Sequence, residues 1–354
     1  MMCRMRRTFR SIRRCCTLLM VGFGVKLAVN KVAAKHFGEV AVYDAELSFD
    51  AENPTVEREL SDFLEKQGIG YLPVYQNDLM LRTGNTISTG KIICAEADRI
   101  EGFYNVRDVK GKNRLTLPEH GVLIPKRLSE SFGLQKGDRV TLYDDQMNGY
   151  EAEVADVYNN YFLHVVVLTP EAYEEVFGTA PQRNTVYPNF NGTDFSEFSS
   201  AVRNIDGVLT VTRDVGRLQL ESGSQSMNAV VVLMIIIATL MALFIQVNLT
   251  ESYMIHKKRE LTVMRINGFS VKECVHYASL EMIVTTALGI LLGIPIGAAF
   301  AYRIIRGSEA EYMQFVRSVD VRSILLSVLI TALFSLLING IAIRKIRNLK
   351  LSDI

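Results

Sequence analysis

Three long runs without a charged residue occupy the second half of the chain: Ala229–Leu249, Met282–Tyr302 and Ser323–Ile343. Each is about 20 residues, the length an α-helix needs to cross a bilayer core of roughly 30 Å. Between the first two lies Lys257–Val271, KKRELTVMRINGFSV. With His256, Lys257, Lys258, Arg259, Arg265 and Lys272 in and around it, this segment is too basic for lipid and too short for a domain. Its apolar residues Leu261, Met264, Ile266 and Phe269 fall at roughly helical spacing, and Gly268 offers a stop. The pattern predicts a short amphipathic helix, about residues 257–271, on the cytoplasmic side of a membrane protein.

A fourth apolar run, near the N-terminus, is shorter. Residues 1–14 hold six Arg and no acid, and Cys15–Val25 then gives 11 uncharged residues before Lys26. As a helix that run spans about 16 Å, too little for a bilayer. It has the size of a signal-peptide core, but no small-x-small cleavage site follows. The arginines read as a cytoplasmic flank. The expectation is a short or truncated first membrane helix with its stalk in residues 1–37, continuous from about Ser11 to Lys35 and poorly anchored at its start. The three later runs would hold the protein in the membrane.

Residues 38–213 have a soluble, mixed α/β texture. Alternation and turn residues predict strands at Val40–Phe49, Leu72–Leu81, Thr86–Ala95, Gly121–Pro125, Arg139–Tyr143, Glu151–Tyr158, Leu163–Leu168 and Gly207–Thr212. Helices are predicted at Pro54–Gln67, Lys126–Phe132, Pro170–Phe177 and Phe195–Asn204. The polar, periodic stretch of residues 214–228 predicts a stalk helix that enters the first long run without a break.

Charge sharpens this division. Gly38–Glu221 carries 17 Lys/Arg against 30 Asp/Glu, and the remainder 22 against 8, so the near-neutral total is a cancellation. An acidic domain between basic membrane flanks is what the positive-inside bias produces when the domain lies outside. Only Cys94 of the five cysteines falls in that domain, which excludes an internal disulfide there, and Cys94 and Cys274 read as single buried thiols.

Candidate chemistry is sparse. There is no GxSxG, HExxH or Walker glycine loop. His120 and His164 have no Cys or His near them in sequence, and the carboxylates are scattered as on a solvated surface. Asn191-Gly192-Thr193 matches a glycosylation acceptor, a pattern common by chance. The three long runs contain no Asp, Glu, His, Lys, Arg or Cys, which disfavours an intramembrane enzyme. Within the second run Gly289, Gly293 and Gly297 recur every four residues and Ala301 continues the row. Such a stripe predicts a helix-packing face, the plainer alternative being that glycine is frequent in membrane helices. Pro295 predicts a kink beside it.

The wording of the charged segment adds a family resemblance. Arg259-Glu260-Leu261, Met264-Arg265 and Gly268-Phe269-Ser270 resemble the R-E-I-x-x-L-R-A-I-G-A-S signature of FtsX-like ABC transporter permeases, among them the MacB and LolC/LolE families. Met264 and Asn267 depart from it. Residues 121–140 resemble an element of MacB-like external domains, and Ile343–Ile354 resembles the basic tail that closes these permeases.

The resemblance implies a membrane α-helical bundle, three clear transmembrane helices plus a short N-terminal one, with an inserted extracytoplasmic α+β domain in residues 38–213. Residues 229–354 would form the permease domain. It implies a permease subunit with no cofactor and no catalytic residues, driven by a separate ABC ATPase and transmitting its motion to the external domain. Arg259, Glu260, Leu261, Met264, Arg265 and Gly268 would form the coupling site, with Leu261 and Met264 as its apolar anchor. Expected partners are that ATPase, membrane lipids and a second permease, as a homo- or heterodimer or an upstream half-permease. The short N-terminus fits the second half of a longer permease. No nucleic acid is expected, and the location is a bacterial plasma membrane. The competing class is a membrane signalling or scaffold protein that moves no substrate, regulating wall hydrolases or sensing peptides.

Overall fold

The computed structural model of the chain describes residues 2–53, 55–190, 195–213 and 215–347. Pro54, the Asn191-Gly192-Thr193 match, Asp214 and the last part of the basic tail lie outside them. In chain order the first elements are α1 (Met2–Lys35), a π-helical turn (His36–Val40), β1 (Ala45–Phe49), α2 (Val56–Lys66), β2 (Gly70–Thr83) and β3 (Thr86–Cys94). Then come β4 (Val122–Pro125), α3 (Lys126–Phe132), β5 (Arg139–Tyr143), β6 (Gly149–Tyr158), β7 (Val165–Leu168) and α4 (Pro170–Phe177). The last are β8 (Thr185–Asn189), α5 (Phe195–Val202), β9 (Val208–Arg213), α6 (Val215–Ile266), α7 (Val271–Gly307) and α8 (Val321–Arg347).

These elements form two compact units. One holds Met1–Asn30, Gln225–Ser308 and Arg317–Ile354, the other Lys31–Ser224 and Glu309–Val316. In the second unit β2 pairs with β3, and the strands close on themselves in the order β3-β7-β4-β6-β5-β2. Closure leaves that barrel no free edge. Its interior is apolar: Leu81, Val122, Ile124, Leu142, Val154 and Val166 are fully buried. From the same β2 a second sheet runs through β8 and β1 to β9, and α2 and α5 complete its core with Leu60, Leu64, Phe198 and Val202.

The two sheets share one strand. Residues 70–74 of β2 pair with β8, and residues 75–83 pair with β3. Where β2 leaves β8, Asn184 binds both sides of Gln76, accepting from its N–H at 2.9 Å and donating to its carbonyl at 2.8 Å.

An unexpected member of this unit is the α7–α8 connection. Phe162 and Met313 form an antiparallel bridge. Leu163 N–H donates to the Tyr312 carbonyl at 2.8 Å, and Gln314 N–H to the Tyr161 carbonyl at 2.9 Å. The Gln314 amide donates to Asn159 Oδ1 at 3.1 Å, and Phe315 is buried.

In the helical unit, α1 corrects one part of the N-terminal reading, the expected shortness of its apolar span. Ile12–Val40 is 29 residues and, by length and composition, able to cross a membrane, as are Val271–Gly307 and Val321–Ile341. The helix runs through Lys26, as the expected continuity from about Ser11 to Lys35 requires, and it starts earlier, at Met2. Within α6, which is helical throughout the expected 229–249 span, Ile235–Phe244 is the apolar stretch among residues described in full. Two further readings change. The strand expected at Val40–Phe49 begins only at Ala45, because the helical backbone continues through the π turn. Strand β8 was missed, because Pro188 within TVYPN argues against a central strand.

Candidate coupling turn and helix-packing stripe

The segment expected to be a separate amphipathic helix, residues 257–271, is not one. Residues 257–266 are the last turns of α6, and α7 starts at Val271. No breaker stands between the apolar run and Ile266, so the helix has no reason to end sooner. The reversal is confined to residues 267–270. Gly268 supplies a left-handed backbone (φ +91°) that side chains resist. Gly268 N–H donates to the Arg265 carbonyl and Phe269 N–H to the Met264 carbonyl, both at 3.1 Å. Ser270 then caps α7 reciprocally: Glu273 N–H donates to its hydroxyl at 3.3 Å, and Ser270 N–H donates to the Glu273 carboxylate at 2.7 Å.

Of the six residues expected at the coupling site, Arg259, Glu260 and Gly268 are exposed and Arg265 is half-buried. Leu261 faces inward. It is 2% exposed and packs with Cys274 and Ala278 of α7, with Met264 against the same cluster. The exposed apolar residues are instead Val263, Ile266 and Phe269. Leu261/Met264 and Val263/Ile266 are both i, i+3 pairs, so periodicity could not say which one faces α7.

Lys257 was also missed. Its side chain is 5% exposed, with Nζ 2.6 Å from carboxylate oxygens of both Glu260 and Glu281 and 4.7 Å from the Tyr277 ring centre. Burial opposes the charge, but the two carboxylates outweigh it and the pKa is raised. The ammonium thereby ties the end of α6 to α7.

The glycine stripe faces α1. A Cβ on Gly289 would lie 2.8 Å from Ile12, one on Gly293 2.9 Å from Cys16, and one on Gly297 2.9 Å from Met20, so only glycine admits this approach. Ala301 continues the buried row. On other faces α1 meets α6, where Cys15 Sγ donates to the Ala242 carbonyl at 3.3 Å, and α8, where Thr331 lies close to Cys16. The helix read as a poor anchor is therefore packed against all three others. Thr286 and Ser335 join α7 to α8 by hydroxyls 2.5 Å apart.

In the α/β unit, Cys94 and His164 are buried. Burial pushes the Cys94 thiol up to about 12, which leaves it protonated and inert. His120 is exposed and paired with Glu175 at 2.8 Å.

Among solved structures, the chain is similar to the extracellular domain of the noncanonic ABC-type transporter YknZ from Gram-positive bacteria at 13% identity and TM-score 0.32, over 48% of this chain and 98% of that one. The chain is likewise similar to the periplasmic region of MacB from Actinobacillus actinomycetemcomitans at 10% identity and TM-score 0.30, over 55% and 97%. No curated protein matches the chain. Residues 232–351 match the family model described as FtsX-like permease C-terminal. That stretch takes in the 267–270 turn, the glycine stripe and α8, and over it the chain is similar to the C-terminal domain of FtsX-like permeases.

Proposed function

We propose that the chain is the permease subunit of an ABC transporter of the FtsX/MacB type, in which a separate ATPase docks at the 267–270 turn and its motion is passed to an extracytoplasmic α/β domain. The observation that carries this reading is α6. It is a continuous helix of 52 residues, about 78 Å at 1.5 Å per residue, with the turn at one end and strand β9 one residue beyond the other. A bilayer core takes only about 30 Å of that length. One continuous helix thus joins the turn, along the chain, to the proposed external domain, and the 309–316 connection between α7 and α8 belongs to that same unit.

At the turn, Arg259, Glu260 and Arg265 would set register, while Val263, Ile266 and Phe269 would supply the apolar contact. Leu261, Met264 and Gly268 would hold the turn's shape. The proposed partners are the ATPase and a second permease, with the domain outside a bacterial plasma membrane.

The test is co-purification of the chain with its ATPase from membranes. Ile266→Asp with Phe269→Asp should abolish association while insertion and thermal stability stay unchanged. Association undiminished by both substitutions would overturn the docking site. Association without substrate movement in reconstituted vesicles would favour the signalling alternative.

A further inference from the structure

The connection between β3 and β4 folds around a cavity of about 170 Å³ that none of the foregoing uses. Its lining is mostly polar. The apolar side chains behind it, Tyr104 and Val106 among them, are buried, so the cavity offers charge and hydrogen bonds rather than an apolar bed. Three cations, Arg107, Lys112 and Arg114, meet one acid there, Glu101. The surrounding residues 38–221 have the opposite balance, 30 acids to 17 bases.

Folding alone does not account for these cations. Arg107 and Arg114 stand opposite each other in an isolated antiparallel bridge, and like charges so placed cost stability. Glu101 pairs with Arg114. Among the described residues no ion pair engages Arg107 or Lys112. Asp108 is the nearest acid in sequence, but its carboxylate is occupied: it accepts from Lys112 N–H at 2.8 Å and from the Asn113 amide at 2.8 Å.

The cavity is also tied to the end of the first apolar helix. Asn105, one of its lining residues, donates its N–H to the Val40 carbonyl at 2.8 Å and its side-chain amide to the Glu39 carbonyl at 3.2 Å. Neighbouring Tyr104 bridges Ala41. The segment able to cross a membrane ends at Val40. Counted from Cys15, where the uncharged run begins, about 20 residues fill a bilayer core and reach Ala34. Lys35 and Glu39, paired at 2.7 Å, follow at once. From Ala34 to Val40 is about 9 Å of helical rise, comparable with the roughly 5–8 Å depth of one headgroup layer. The cavity wall is therefore bonded to the chain where it passes lipid headgroups.

We propose that this cavity binds the phosphate of an anionic lipid in the leaflet where α1 ends. Arg107 and Lys112 take the phosphate oxygens through charge-assisted hydrogen bonds. Pockets for whole drug-sized ligands run from about 300 Å³, so this one admits a phosphate and its glycerol arm while the acyl chains stay in the bilayer. An anionic headgroup is favoured over a choline one, which would bring a further cation to the cluster. The site rests on α1 crossing the bilayer and not on the coupling reading, and its test needs no ATPase.

The experiment is thermal unfolding of the full chain in a neutral detergent, titrated with dioctanoyl phosphatidylglycerol, dioctanoyl phosphatidylcholine or inorganic phosphate. A ligand of the folded state raises the melting temperature with its concentration. Phosphatidylglycerol should act at concentrations at least about tenfold lower than the other two. Arg107→Gln and Lys112→Gln should each weaken its effect about tenfold. Lys110→Gln removes the same charge from the same loop but from outside the cavity lining, and should weaken it less than about twofold. All three positions are exposed, so the melting temperature without lipid should not fall, and if one cavity variant fails to fold the other decides. Equal action of phosphatidylcholine, equal action of inorganic phosphate, or an equal loss in all three variants would each overturn the proposal, as would no loss in either cavity variant.

Discussion

Glu309, with its side chain fully buried, lies 3.6 Å from the Arg127 guanidinium, and this pair fastens the α7–α8 connection to α3. Arg127 also donates to the carbonyls of Ala310 at 3.1 Å and Glu309 at 3.2 Å. Phe315 N–H donates to the Glu309 carboxylate at 3.1 Å. Removing one member of such a pair leaves the other charge buried without compensation, whereas replacing both by apolar groups is often neutral. Arg127→Ala should therefore destabilise the α/β unit by about 3–5 kcal/mol, and Arg127→Met with Glu309→Leu should recover most of the loss. Protease resistance of the 309–316 connection in the full chain measures both. Equal damage from the single and the double variant would show that the backbone contacts, not the charges, hold it.

The glycine stripe predicts a ranking. Ile12 and Cys16 meet Gly289 and Gly293 through atoms at or next to their own Cβ, whereas the nearest atom to Gly297 is the sulfur of Met20, which can swing away. Gly289→Ala and Gly293→Ala should each cost about 1–3 kcal/mol of overpacking, and Gly297→Ala less. Thermal unfolding of the detergent-solubilised chain reads the order. Three equal, negligible effects would mean that α1 and α7 do not approach this closely.

Lys257 predicts a pH-independent stabilisation through the neutral range. Its folded pKa is raised above 10.5, so the contribution is complete below the unfolded value and fades only as pH rises through the folded one. Lys257→Met should lower the melting temperature equally at pH 6 and pH 9, within about 1 °C. A difference that vanishes by pH 9 would contradict the assigned direction.

His164 behaves in the opposite sense. Burial holds its pKa below 6.5, with the Glu311 charge partly offsetting and Arg127 adding to the effect. As pH falls below 6.5 the unfolded chain takes up a proton that the folded ring resists, so stability declines until the folded value is passed. Unfolding curves between pH 7.5 and 5 should show this slope in the native chain and a shallower one in His164→Gln. Identical slopes would remove His164 from the account.

Much of the α/β unit was legible because its signals are local. The helix Lys126–Phe132 ends at Gly133, in a left-handed conformation (φ +68°). Pro170 and the Thr169 cap mark the start of the helix Pro170–Phe177, and Arg139–Tyr143 alternates cleanly. What stayed hidden depends on three-dimensional contact. A lysine interrupts a hydropathy run at residue 26, yet the burial that makes α1 central comes from α6, α7 and α8. Likewise, which of two equivalent apolar pairs near residue 263 faces inward is decided by how the four-residue turn sets α7 against α6. That the 309–316 connection joins the α/β unit has no local signature beyond Glu309, one acid among several.

The shared strand β2 has a mechanical corollary. Because residues 70–83 belong to both sheets, the barrel and the second sheet have no linker between them and cannot swivel as beads on a string. Any twist of one against the other must be absorbed as dihedral change near Val74–Gln76, where the Asn184 amide grips both sides of one residue. A pull on either lobe would then be felt by the other as torsion along a single strand, with Asn184 as its fulcrum.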